Sequence, residues 1–183
     1  MRRPSCPGCA RGAPNCRWWR WRCHPPSRRW CTSKPAAGNG DRAFEYYNQI
    51  NPVTKNDKID EFECEPYVYP QNVLGDEHPQ FGLARNSWLT GAASWAYQAA
   101  TQHILGIAPT HNGLHIDPCI PTAWDGFNLV RRFRGAVYQI EVKNPDHVSR
   151  GVRSVKVDGQ PIPGNLVPVL DGGKVHQVEV LMG

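Results

Sequence analysis

The sequence predicts an α+β chain, helical first and all-β after about residue 119. Three observations carry this. Residues 87–105 place Trp88, Ala92, Trp95, Ala99 and Ile104 near one face at helical spacing. Residues 136–142 alternate, with Tyr138, Ile140 and Val142 opposite Val137, Gln139 and Glu141. After Pro121, short β-rich runs are separated by turn residues such as Asn144-Pro145-Asp146 and Asp158-Gly159. That spacing is the pattern of an antiparallel sandwich or roll.

The first segment of the chain is unlike the rest. Residues 1–35 hold nine of the 21 Lys and Arg and none of the 16 acidic residues. The remaining 12 basic residues against 16 acids leave the body at −4, so the overall charge of +5 averages two unlike parts. Five of the seven cysteines and four of the seven tryptophans also lie in this leader, whereas Leu, Ile, Val and Phe are absent from it. Without branched aliphatic side chains it cannot bury much of a core. Residues 1–37 are therefore expected to be an irregular basic leader, non-native or disordered. Arg, Pro, Cys, Trp and Gly are also the residues that GC-rich DNA yields when read out of frame. The competing reading is a zinc or nucleic-acid module: Cys6 and Cys9 have a two-residue gap, Cys16, Cys23, His24 and Cys31 could complete a site, and Arg with Trp suits phosphate and base contacts. A zinc ribbon needs a second close pair, which the adjacent Cys23-His24 does not supply. No metal site is therefore assigned and no nucleic-acid partner is expected. Nowhere do about 18 apolar residues run together, as a membrane span requires. The basic N-terminus is not followed by a signal-peptide core, and a cytoplasmic location is the expectation.

From Gly38 the composition becomes ordinary. Gly38-Asn39-Gly40-Asp41 stops one element and starts another, with Asp41 as the cap of a helix through Tyr47. Asn51-Pro52 ends that helix. Residues 52–86 form a long connection punctuated by Pro66, Pro70 and Pro79, with a short helix expected from about Tyr69 to Gly75. The helix over 87–105 is rich in Gly, Ala and Ser, which predicts close approach by neighbours on several sides, and Gly106 ends it. Strands are expected at 129–134, 136–142, 154–157 and 176–181.

Several separated motifs then occur in one order: Glu65-Pro-Tyr-Val-Tyr-Pro-Gln71, Asn86-Ser-Trp-Leu-Thr-Gly91, Ile104-Leu-Gly-Ile107, Ile116-Asp-Pro-Cys-Ile-Pro121, Trp124-Asp-Gly-Phe127, Phe133-Arg-Gly135 and Lys143-Asn-Pro145. Over residues 38–183 they resemble the C-terminal part of the cellobiose phosphorylase family, the inverting glycoside phosphorylases of glycoside hydrolase family 94. The resemblance implies a fragment: the last helices of an (α/α)6 catalytic barrel over 38–118, followed by a small antiparallel β domain over 119–183. It implies an enzyme that cleaves a β-linked disaccharide such as cellobiose with inorganic phosphate, giving a sugar 1-phosphate. Inorganic phosphate is the co-substrate and no other cofactor is expected. Full-length members commonly form homodimers.

Phosphate is itself a nucleophile, so such a site needs one acid for the leaving oxygen and a cradle for a dianion. The resemblance assigns phosphate binding to Thr90 and Gly91, and more weakly to His24, which follows Cys23 where the family carries a phosphate-contacting His. It assigns sugar binding to Gln71. Spacing alone would read Thr90 and Gly91 as packing residues in an Ala-rich helix, and Gln71 as a surface or cap residue. His78 is expected to be a loop residue, and Glu65 and Asp117 structural residues beside Pro66 and Pro118. The family's catalytic Asp lies upstream of every matched motif, so no catalytic residue is assigned and the isolated chain is expected to be inactive. The rival to an enzyme fragment is a non-catalytic carbohydrate-binding protein using aromatic residues of the β part.

Overall fold

The computed structural model describes residue 35, residues 37–75 and residues 77–183. Cys6, Cys9, Cys16, Cys23, His24 and Cys31 lie outside the described residues. Helix α1 runs Gly40–Ile50, and its cap is Asn39, whose side chain accepts from the Arg42 N–H at 3.0 Å. The expected cap, Asp41, instead sits in the first turn, where a helix favours negative charge. Its carboxylate accepts from the Thr122 N–H (3.0 Å) and receives the Thr122 hydroxyl. Gly40 is required by proximity: a Cβ there would lie 2.0 Å from the Ile120 carbonyl oxygen. Its N–H donates to Ser149 Oγ at 2.7 Å, and that hydroxyl lies 3.2 Å from the same carbonyl. Ala43 is fully buried, and Phe44 meets Trp124 edge-on at 5.1 Å. Helix α1 is thereby docked on the β part of the chain.

After α1, a 3-10 helix (Pro52–Lys58) leads into the single turn of α2 (Ile59–Phe62), which Glu63 ends with left-handed backbone. The helix expected at 69–75 is absent. Strand β1 (Pro70–Val73) lies there and pairs antiparallel with β2 (Ala84–Ser87), Pro70 opposite Ser87 and Val73 opposite Ala84. The reason is local: Pro70 disfavours helical backbone in the residue before it and is tolerated as the first residue of a strand. This hairpin has its own small core of Phe62, Cys64, Val68 and Ala84.

The helix expected over 87–105 begins later. Asn86 and Trp88 both have positive φ (55° and 68°), so α3 starts only at Ala92 and runs to Gln98. It continues as π-helical turns over Ala99–Ile104, where the Leu105 N–H reaches the Ala100 carbonyl. Burial on several sides is not seen among the described residues: Ala96, Ala99 and Ile104 are buried, while Ala93, Ser94 and Tyr97 are exposed. No described helix is long and apolar enough to cross a membrane.

Strand pairing begins again at Ile107, ahead of the change expected near residue 119. Strands β3 (Ile107–Pro109), β4 (Gly113–Ile116) and β9 (Leu166–Pro168) form a three-stranded antiparallel sheet. A second sheet has the order β5-β6-β10-β7-β8, built from Gly126–Phe133, Ala136–Lys143, Val175–Met182, Val152–Val157 and Gln160–Ile162. The alternation read from the sequence is observed in β6, where Ala136, Tyr138, Ile140 and Val142 are buried and Gln139 and Glu141 exposed. Strand β10 repeats it with His176, Val178, Val180 and Met182 inward. Contrary to a purely antiparallel domain, β10 pairs parallel with β6. The chain leaves β6, forms β7 to β9, and returns into the slot between β6 and β7. Inner faces of both sheets share one core, which includes Leu114, Ile116, Tyr138, Ile140 and Val167.

Candidate functional site

Two matched segments, 65–71 and 86–91, meet at the β1–β2 hairpin. Gln71 is exposed on β1, and its side-chain carbonyl accepts from the Asn86 amide on β2 at 3.1 Å. The link runs through Asn86, which the sequence did not single out. A second link sits beside it. Glu65 Oε1 accepts from the Trp88 indole N–H at 3.0 Å, and the Tyr67 ring meets Trp88 edge-on, centroids 6.1 Å apart. Glu65's own backbone N–H, and then the indole N–H, hold its carboxyl below the usual carboxylate range. Burial pushes the neighbouring Cys64 thiol up, which keeps it protonated and unreactive.

Thr90 and Gly91 lie just before α3. The Thr90 hydroxyl oxygen accepts from the Ala92 N–H at 3.1 Å, a local bond that fixes the side chain and leaves its own proton to donate elsewhere. Gly91 caps α3 without a side-chain bond. A Cβ on Gly91 would meet only the Trp95 ring, at 3.9 Å, which is ordinary contact. Packing among the described residues therefore does not demand glycine at this position.

Trp88 is the main departure from the sequence reading. A helical period places it in the core; it is 66% exposed, and Tyr67 is 72% exposed. A bulky residue at φ 68° is an outlier, and no periodicity signal reports it. The other singled-out residues have structural surroundings. His78 stands in the loop between β1 and β2, its Nδ1 accepting from the Gln80 N–H. Asp117 is clamped by Arg150, with a closest contact of 2.5 Å, at the edge of a cavity of about 180 Å³ also lined by His103, His115 and Cys119. Asn144, in the matched Lys143-Asn-Pro145, is fully buried and bridges the Trp124 and Val148 backbones with three hydrogen bonds.

Comparison with known proteins finds two families along the chain. Residues 21–106 match the family described as "Glycosyl hydrolase 94 superfamily, catalytic domain". These residues belong to the glycosyl hydrolase 94 superfamily. Residues 107–162 match "Glycosyl hydrolase family 65, C-terminal domain", so the junction between the two falls where β3 begins. The glycosyl hydrolase 94 match starts inside the leader and includes Cys23-His24. The chain is similar to N,N'-diacetylchitobiose phosphorylase of Vibrio proteolyticus, 44% identical over 160 residues, covering 87% of this chain and 20% of that protein. The protein of the same name from Vibrio furnissii is 42% identical over 160 residues, with the same coverage. Solabiose phosphorylase of Paenibacillus borealis is 34% identical over 146 residues, covering 80% of this chain and 19% of that protein. The chain thus spans about a fifth of the length of these relatives.

Proposed function

We propose that this chain supplies the phosphate cradle and part of the sugar site of an inverting disaccharide phosphorylase whose (α/α)6 barrel is completed by other sequence. The Thr90 hydroxyl and the Gly91 N–H hold inorganic phosphate under the anomeric carbon, with His24 as a third contact, and the Gln71 amide hydrogen-bonds the sugar. A phosphate oxygen attacks the anomeric carbon, the bond from that carbon to the glycosidic oxygen breaks, and a carboxylic acid donates its proton to the departing oxygen. The products are a sugar 1-phosphate of inverted configuration and the free second sugar. The general acid is assigned to no residue of this chain.

The observation that carries the reading is the anchored Thr90 hydroxyl next to Gly91, a glycine that packing does not demand, one segment away from the Gln71–Asn86 amide pair. The names of the relatives support the reaction class, and they put N,N'-diacetylchitobiose ahead of cellobiose as the first substrate to try. The test grafts residues 38–183 in place of the matching stretch of the Vibrio proteolyticus relative. The chimera should release sugar 1-phosphate from the disaccharide and phosphate, whereas the 183-residue chain alone should release none. Thr90→Val in the chimera should raise the KM for phosphate about tenfold or more, the scale of one hydrogen bond to a charged group. Gln71→Ala should act on the KM for the sugar instead. Phosphate dependence unchanged by Thr90→Val would remove the assignment.

A further inference from the structure

We propose that Trp88 is an aromatic wall against which one sugar ring of the disaccharide stacks, and that Glu65 is the positioning residue that holds the indole in place. This rests on the disaccharide reading above and adds to it a residue that neither the motif assignments nor the periodicity supplied.

Four observations converge. The indole is two-thirds exposed although its polar atom is satisfied: the N–H is spent on Glu65 at 3.0 Å, so the exposed surface is the apolar ring. Tyr67 meets it edge-on and restricts the ring from a second direction. The backbone at Trp88 and at Asn86 is left-handed, at φ 68° and 55°. Strain of this kind persists where the surroundings over-determine it and clusters at ligand clamps. Here both strained residues turn their side chains onto the 65–71 segment, Asn86 to Gln71 and Trp88 to Glu65. Finally, the neighbours of the ring are not those of an apolar protein contact alone. An amide pair, a carboxylate and the Thr90 hydroxyl belong to the same two segments. A pyranose ring presents that combination in reverse, an apolar C–H face with a rim of hydroxyls, which an oriented aromatic ring beside amide and carboxylate groups matches.

The test uses the 183-residue chain itself. In a heteronuclear spectrum the Trp88 indole N–H resonance is assigned by its loss in Trp88→Phe, and the chain is titrated with N,N'-diacetylchitobiose, with cellobiose and, separately, with inorganic phosphate. The Trp88 indole resonance should shift saturably with disaccharide. Trp88→Ala should weaken the sugar-induced shifts of the Gln71 and Asn86 side-chain amides about tenfold, while Trp88→Phe, which keeps an aromatic face, should retain most of the affinity. Glu65→Ala should weaken sugar binding, and Glu65→Gln, which keeps an acceptor for the indole, should restore it. That rescue separates positioning from a merely structural effect. If the amides respond to sugar but Trp88 does not, and Trp88→Ala binds normally, the wall is refuted while the sugar site stands. If no resonance responds to either disaccharide, the wall is refuted outright, and the exposed ring is a packing surface for polypeptide. Phosphate-induced shifts at Gly91 report on the phosphorolysis reading independently of either result.

Discussion

At the scale of single residues, the pair His176–Asp158 gives the β part a defined response to pH. His176 is nearly buried on β10, with Nδ1 2.8 Å from the Asp158 carboxylate, which also accepts from the Gln177 N–H. The bond to Asp158 raises the His176 pKa against the opposing effect of burial, and the bond to His176, then that to Gln177, lowers that of Asp158. A raised histidine contributes stability that is full below its unfolded value of about 6.5 and is lost as pH rises through the folded one. A lowered aspartate contributes stability that is full above its unfolded value of about 3.9 and is lost as pH falls through the folded one. The pair therefore stabilises most between about pH 4 and about pH 6.5. Urea midpoints measured at about pH 5.5 and about pH 8.5 should show the chain less stable at the higher pH, and His176→Gln should shrink that difference; an unchanged difference would show that other groups cause it. The candidate site, by contrast, was only partly legible at this scale. Gln71, Thr90 and Gly91 could be chosen only because whole motifs matched, since a hydroxyl and a glycine before a helix look the same whether they cap it or bind an anion. Trp88 was misread because the helical period was carried through a left-handed residue; Asn86 tolerates positive φ by its chemistry, but nothing in an indole side chain announces it.

At the scale of elements, the sheets were the most legible because a half-buried strand must alternate, and β6 and β10 do so without exception. The Asp158-Gly159 turn followed from chemistry, whereas Arg134, expected at the end of a strand, joins Gly135 in a turn of the same kind; both pairs have two consecutive positive φ values, the type I′ geometry that suits a two-residue connection. The parallel pairing of β10 with β6 was not legible, because alternation fixes which face is buried and not which neighbour a strand finds. Strand β1 was missed because its exposed Gln71 and Asn72 break any apolar period, and only the prolines hinted at extended backbone. The start of α1 shows how tertiary contact overrides local preference. Gly40→Ala should stabilise an isolated helix by up to about 1 kcal/mol. In this chain the added Cβ would sit 2.0 Å from a backbone carbonyl that no side-chain rotation can move aside. Overpacking costs about 1–3 kcal/mol, and the same Cβ would lie 2.8 Å from Ser149 Oγ, so the substitution should be net destabilising. Asn39→Ala, which removes only the cap, should cost about 1 kcal/mol. A denaturant series in which Gly40→Ala proves neutral or stabilising would mean that α1 is not docked through this contact.

At the scale of the whole molecule, the described residues divide between two unequal cores. The main one joins sixteen buried residues from both sheets, α1 and the end of the α3 segment, whereas the one under the β1–β2 hairpin has four. A two-stranded hairpin is marginal by itself, and regions with few buried apolar contacts open at lower free energy than the global transition. The candidate site straddles the weaker region, since Gln71 and Asn86 are on the hairpin and Glu65, Trp88 and Thr90 flank it. Amide exchange should therefore separate the molecule into two classes. Protected amides in β6 and β10, which pair with each other and with β5 and β7, should exchange only through global unfolding and follow its full denaturant dependence. Those of β1 and β2 should exchange much faster with little denaturant dependence, the mark of local opening. Disaccharide, if it bridges the two segments as proposed, binds only the closed hairpin and should slow exchange in β1 and β2 without changing it in β6. Equal protection and equal denaturant dependence in both regions would show instead that the hairpin and the sheets unfold as one unit, and that the site is as rigid as the domain that carries it.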